Sequence, residues 1–252
     1  MKQHLRTPAD INLDYQDVNF TSSDGTSLHG WLLPGKGKIT GTILFFHGNA
    51  ENISTHIASV YWLPEHGYNV FLFDYRGYGK SSGDTDLDGI ILDAEAAIHY
   101  ITSLPNIQYY PIIVYGQSIG AAIASYAVAH SQYRNKVDAI ILESTFSSYQ
   151  LIAKEKLASF WLTWPLQIPL SLTISDRYKP ITAAPLLSPI PVLFVYSKED
   201  RVIPYQHGQM LFEATRDPKK LWLINKGKHI GIFLDAKQKP RLLEYLESVE
   251  LR

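Results

Sequence analysis

Ile112-Ile113-Val114-Tyr115-Gly116-Gln117-Ser118-Ile119-Gly120-Ala121-Ala122-Ile123 is the stretch that decides how the rest of the chain is read. Its first four residues are a short continuous apolar run, the pattern of a strand buried on both faces. Residues 121–129 are small and apolar and read as a helix. Ser118 falls at the turn between the two. The backbone of such a turn is crowded, and the flanking Gly116 and Gly120 relieve the crowding. The turn lifts the hydroxyl to the C-terminal edge of a sheet, above a helix N-terminus that favours negative charge.

Working outward, the same kind of apolar run recurs at residues 42–46, 70–73, 139–142, 192–196 and 221–224. The intervening segments 53–65, 87–103, 118–130, 205–215 and 236–249 are long enough for helices. Alternating buried strands and helices predict an α/β fold with a mostly parallel sheet and helices on both faces. The first pair differs. Residues 15–21 and 27–33 alternate in polarity around Ser22-Ser23-Asp24-Gly25, which predicts an antiparallel hairpin and so eight strands in all. Residues 146–189 break the rhythm. They hold no buried-strand pattern, and Pro165 and Pro169 interrupt any single helix. We read them as a short helical cap inserted into one domain spanning residues 1–252.

Bulk composition narrows the function classes. With 252 residues, 46% hydrophobic and 19% charged, the chain suits a globular domain with a full core. A formal net charge of -1 gives no footprint for nucleic acid. The absence of cysteine excludes disulfides, thiolate metal sites and a cysteine nucleophile. Residues 1–8 lack the apolar core of a signal peptide, and no run approaches a membrane span, so a cytoplasmic location is the expectation.

A serine hydroxyl needs a base to act as a nucleophile near neutral pH. Three histidines follow Ser118: His130, His207 and His229. His130 ends the helix that Ser118 begins, too far away to reach back. His207 sits at the start of a predicted helix and reads as a solvated or pocket-rim residue. His229 lies in a loop just after the last strand run, where a base can meet Ser118, and is the expected base. The acid that orients it is expected to be Asp200, in the loop after residues 192–196. Its neighbour Glu199 and the strand-end Glu143 are the rivals. The oxyanion donors are expected from the backbone of Ile119 and of Asn49, the latter in His47-Gly48-Asn49-Ala50 after residues 42–46. His47 reads as a loop-holding residue. In Asp74-Tyr75-Arg76-Gly77-Tyr78-Gly79, Arg76 is expected to pair with Asp74 or another strand-end acid.

These pieces together resemble the α/β-hydrolase superfamily over nearly the whole chain. They look closest to single-domain serine hydrolases with a His-Gly-Asn-Ala loop, an Asp-Tyr-Arg-Gly-Tyr-Gly loop and a Gly-Gln-Ser-Ile-Gly elbow. That branch includes esterases and protein depalmitoylases, often with an N-terminal membrane anchor; residues 1–8 do not read as one. The resemblance implies hydrolysis of an ester or thioester, with a small-molecule or acyl-ester substrate and no metal or organic cofactor. A peptidase or a catalytically silent binding protein is the alternative. Two departures add charge by the site: Ser197-Lys198-Glu199 stands where His-Gly is more usual, and Lys228 stands where a small residue is usual. Phe160, Trp161 and Trp164, with Leu157, are expected either to wall an acyl site or to be buried core. Peripheral membrane contact through residues 160–168 is a further reading, for which an exposed tryptophan pair would speak.

Overall fold

The computed structural model describes residues 3–249. The outermost residues of the expected 1–252 domain, and the first two of the segment read for a signal peptide, lie outside the described residues. The eight strands are β1 (Gln16–Thr21), β2 (Ser27–Leu33), β3 (Gly41–Phe46), β4 (Tyr68–Asp74), β5 (Ile112–Gln117), β6 (Ala139–Glu143), β7 (Val192–Ser197) and β8 (Lys219–Ile224). They form one sheet in the order β1-β2-β4-β3-β5-β6-β7-β8. β1 pairs antiparallel with β2, and β2 antiparallel with β4. All pairs from β4 to β8 are parallel. The expected mixed sheet is what forms.

β3, β5, β6 and β7 are buried along their whole length. Their side chains alternate between two cores, as the period of two in a strand demands. Leu44 and Phe46 face the core built with α2 (Leu87–Ser103) and α3 (Ile119–His130). Ile43 and Phe45 face the other core, which includes Leu242 and Leu246 of α8 (Gln238–Ser248). Both cores being apolar explains why these strands read as continuous runs rather than alternating ones.

Two helices depart from expectation. Residues 53–65 are not one helix but α1 (Ile53–His56), followed by 3-10 turns at Ile57–Ser59 and Leu63–His66. Val60 leaves helical space at φ −127°, and Pro64 has no amide to donate back to it, so the segment does not run on as one α-helix. The helix after Ser118 starts at Ile119, because Ser118 itself has φ 55° and ψ −123°, outside helical space.

Between β6 and β7 lie α4 (Tyr149–Ala158), α5 (Gln167–Ser171) and α6 (Pro180–Ala183). No strand interrupts them among the described residues. Ser148 caps α4 by accepting from the Leu151 amide at 3.1 Å, and Asp176 accepts from the Ser148 hydroxyl and the Tyr149 amide. The start of α4 is thereby clamped to the segment before α6. α7 (Gln206–Ala214) then bridges β7 and β8.

Candidate active site

Ser118 sits between β5 and α3 with a left-handed φ, a conformation that costs a non-glycine residue energy. The surrounding packing imposes it. A Cβ on Gly120 would lie 2.2 Å from the His47 carbonyl oxygen, and one on Gly116 2.5 Å from the Ala121 Cα. Only glycine at both positions lets α3 approach β3 and β5 this closely. The Ser118 amide donates to the Glu143 carbonyl at 2.9 Å, which pins the turn to the end of β6.

Three side chains from three strand-end loops then meet. His229 Nε2 is 3.0 Å from Ser118 Oγ, and His229 Nδ1 is 2.8 Å from Asp200 Oδ2. With the Nδ1 proton donated to Asp200, Nε2 is the acceptor for the serine hydroxyl. The other Asp200 oxygen accepts from the amides of Val202 at 2.8 Å and Ile203 at 3.0 Å. Burial raises the Asp200 carboxyl, but the His229 bond and these two amides outweigh it and hold it below the ordinary aspartate value. The acid is therefore ionised at neutral pH. This is the geometry by which a carboxylate fixes one imidazole tautomer and steadies the imidazolium. Ser197 ties the two loops together by donating to the Gly227 carbonyl at 2.8 Å.

The rivals have other partners. Glu143 is buried, and its Oε2 accepts from the Tyr115 hydroxyl and, at 2.6 Å, from Gln117 Nε2. Its Oε1 accepts from the Ile232 amide at 3.0 Å. Burial raises its carboxyl above the usual glutamate value. Glu199 is exposed, and among the described residues its carboxylate has no partner to compare with that of Asp200. His207 departs from expectation: it is buried, not solvated. Its Nδ1 accepts from the Ser147 amide at 3.1 Å, and its Nε2 donates to Glu155 at 3.0 Å, so it fastens α4 to α7. His130 bonds the Tyr126 carbonyl in its own helix.

The loop after β3 contains the other expected contributors. His47 donates from Nδ1 to the Gly48 carbonyl at 2.8 Å and is fully enclosed. Burial lowers it to about 3, so it stays neutral. Ala50 and Glu51 both take left-handed φ, at 64° and 58°. Two successive non-glycine residues in that region mark a strained loop. Asn49 is exposed at its start, with the Tyr78 hydroxyl donating to its side-chain oxygen at 3.2 Å. Beyond the loop, Asn52 caps α1, and Asp74 accepts from the Ile53 amide at 2.9 Å. Ile119 begins α3, where the first amides of a helix lack intrahelical acceptors.

Arg76 does not pair with Asp74. It forms a forked contact with Asp93 of α2, at 2.7 Å from one nitrogen, and reaches Asp24 of the first hairpin turn at 2.7 Å. Asp74 instead bonds His4 at 2.7 Å. The backbone turn after β4 sends Arg76 towards α2, away from the carboxylate two residues earlier. Among the described residues, only His4, His29 and Asp74 have the composition of a metal cluster. Their hydrogen bonds, with His29 on Asp17 at 2.6 Å, tie the N-terminal segment to the end of β4.

Phe160, Trp161 and Trp164 are not core. Trp161 is 78% and Trp164 59% exposed, and Leu162, Leu166, Ile168 and Leu172 are exposed with them. Periodicity could not foresee this, because a proline-broken segment has no one face to bury. No helix among the described residues is long and apolar enough to cross a membrane.

Fold and site together are those of an α/β hydrolase, and the comparisons agree. Residues 37–185 match the family model described as serine aminopeptidase, S33. The uncharacterized protein YfhR of Escherichia coli (strain K12) is 37% identical, over 87% of this chain and 75% of its own. The α/β hydrolase domain-containing protein WAV2 of Arabidopsis thaliana is 35% identical, over 93% and 79%. An esterase of Pyrococcus furiosus superposes with a TM-score of 0.77 at 22% identity, covering 97% of this chain and 94% of the esterase. The chain belongs to the α/β-hydrolase superfamily.

Proposed function

We propose that the protein is a serine hydrolase that cleaves carboxylic ester or thioester bonds through an acyl-enzyme on Ser118. The observation that carries this reading is the unbroken hydrogen-bond chain from Ser118 through His229 to the ionised Asp200. Ser118 Oγ attacks the acyl carbon while its proton passes to His229 Nε2. The imidazolium, steadied by Asp200, then protonates the leaving oxygen or sulfur as its bond to carbon breaks. Water repeats the sequence and releases the acid. Backbone amides of Ile119 and Asn49 are the proposed oxyanion donors. Labelling with a fluorophosphonate tests the core of the reading: wild type is expected to label and Ser118→Ala not to. An unlabelled wild type sinks it.

The exposure of Phe160, Trp161 and Trp164 supports an apolar acyl side. An ester series from acetyl to palmitoyl is expected to favour the longer chains; a preference for acetyl would remove the apolar wall. The same exposed tryptophan pair favours a peripheral membrane contact, since large exposed apolar patches mark interaction surfaces. Co-sedimentation with lipid vesicles, lost in a Trp161→Ser, Trp164→Ser variant, tests it. The family description keeps a peptidase as the second reading. Faster turnover of an aminoacyl p-nitroanilide than of matched esters would favour it.

A further inference from the structure

The two loops that carry Asp200 and His229 enclose an open cleft of about 930 Å³, lined by residues 198–202 and 227–229. Three cations stand on it: Lys198, Arg201 and Lys228, all exposed. None has an ion pair within 4 Å or a side-chain hydrogen bond to a described residue. Against these three cations the lining holds two carboxylates, Glu199 and Asp200, of which Asp200 is engaged by His229. The whole chain has a formal net charge of -1, so this local excess is not inherited from bulk composition. An excess of positive charge in a cleft concentrates anionic groups.

We infer that Lys198, Arg201 and Lys228 receive an anionic leaving group, so that the preferred substrates are acyl esters or thioesters whose alcohol or thiol side carries a phosphate or carboxylate. The assignment to the leaving group follows from the chemistry of His229. The imidazole that takes the Ser118 proton must hand it to the departing oxygen or sulfur, so that atom lies beside His229 Nε2. The cleft borders the same histidine. Arg201 offers a planar fork suited to either anion, and the lysines act as adaptable point charges. Lys156 Nζ donates to the Arg201 carbonyl at 3.0 Å, which anchors the arginine's loop to α4 and so to the exposed apolar segment. The surface thus joins an apolar side to a cationic one, the complement of an amphiphile with an acidic head. The inference rests on the serine-hydrolase reading.

Three octanoyl esters that differ only in the alcohol test it: glycerol, glycerol phosphate and glycolate. For wild type, kcat/KM for at least one anionic ester is expected to exceed that of the glycerol ester about tenfold or more, as charge-assisted contacts allow. That ratio is expected to shrink as sodium chloride rises, because exposed charges are screened. It is expected to approach one in a Lys198→Gln, Arg201→Gln, Lys228→Gln variant and to survive in Lys228→Arg. The phosphate and carboxylate arms separate the two anions. A wild-type ratio near one, or a ratio kept in the triple variant, overturns the inference. Fluorophosphonate labelling keeps its failure apart from failure of the parent reading: an enzyme that labels but ignores charge rejects only the anion cleft, and one that does not label rejects both.

Discussion

The buried carboxylate of Glu143 accepts a 3.0 Å hydrogen bond from the backbone amide of Ile232, three residues past His229. Gln117, which donates to the same carboxylate, also reaches the Ile230 carbonyl at 3.4 Å. Ile230 itself is held at a φ of 49°, which a β-branched residue adopts only under constraint. Two acids at neighbouring strand ends are thus separated by environment. Asp200 meets the imidazole, and Glu143 holds the backbone that presents it.

Substitutions at these two acids are expected to diverge. Asp200→Asn keeps the shape but favours the wrong imidazole tautomer, and kcat on a p-nitrophenyl ester is expected to fall by about 10³–10⁴. Glu143→Gln turns an amide against donors that now face oxygen. It is expected to cost about 1–3 kcal/mol of stability, read by urea unfolding, with the smaller loss in kcat. The reverse ranking in kcat would exchange the roles of the two acids.

The two buried-side histidines are expected to separate in the same way. His229→Ala removes the proposed base and is expected to lower ester turnover by about three orders of magnitude or more. His207→Ala unfastens α4 from α7, so a lower melting temperature is expected, with most of the per-molecule turnover kept. Equal residual activities would show that His229 is not the base.

Gly120→Ala tests the packing that imposes the Ser118 turn. The added Cβ would lie 2.2 Å from one backbone carbonyl oxygen and 2.4 Å from another. Neither can move without parting β3 from α3, so a loss of about 3 kcal/mol or more is expected. Chemical denaturation of soluble protein reads it, and an unchanged midpoint would mean that the helix has room to shift.

His47 predicts a pH dependence of stability. Its folded value lies near 3, against an ordinary value of 6.5, because burial penalises the charged form. Between those values the unfolded chain binds a proton that the folded one does not, so stability rises with pH across this window. The contribution is complete above pH 6.5 and fades on acidification, with a slope approaching roughly 1.4 kcal/mol per pH unit. Urea midpoints at pH 5 and pH 7 are expected to differ less in His47→Asn than in wild type. An equal difference would assign the acid sensitivity elsewhere.

Much of this was legible in the chain itself. Runs such as 112–115 and 192–196 are apolar on every residue because both faces of those strands are buried. Asp200 and His229 could be singled out because each follows such a run, and residues after parallel strands collect at one edge of the sheet. Other features have no local signature. Arg76 lies two residues from Asp74 yet pairs with Asp93, seventeen positions along. His207 looks like a surface helix residue until Ser147 and Glu155 close over it. The cations at 198, 201 and 228 come from two loops that only the β7–β8 pairing brings together.

The division has a physical basis. Hydrophobic period and turn chemistry are local properties, and they were enough to specify the strands, the mixed sheet, most of the helices and the strained position of Ser118, though not the break of residues 53–65 into short turns. Which acid faces His229, which histidine is enclosed and where cations gather depend on side chains distant in sequence. Those choices were made by packing, through the solvent it removes from Glu143 and His47 and the hydrogen bonds it supplies to Asp200.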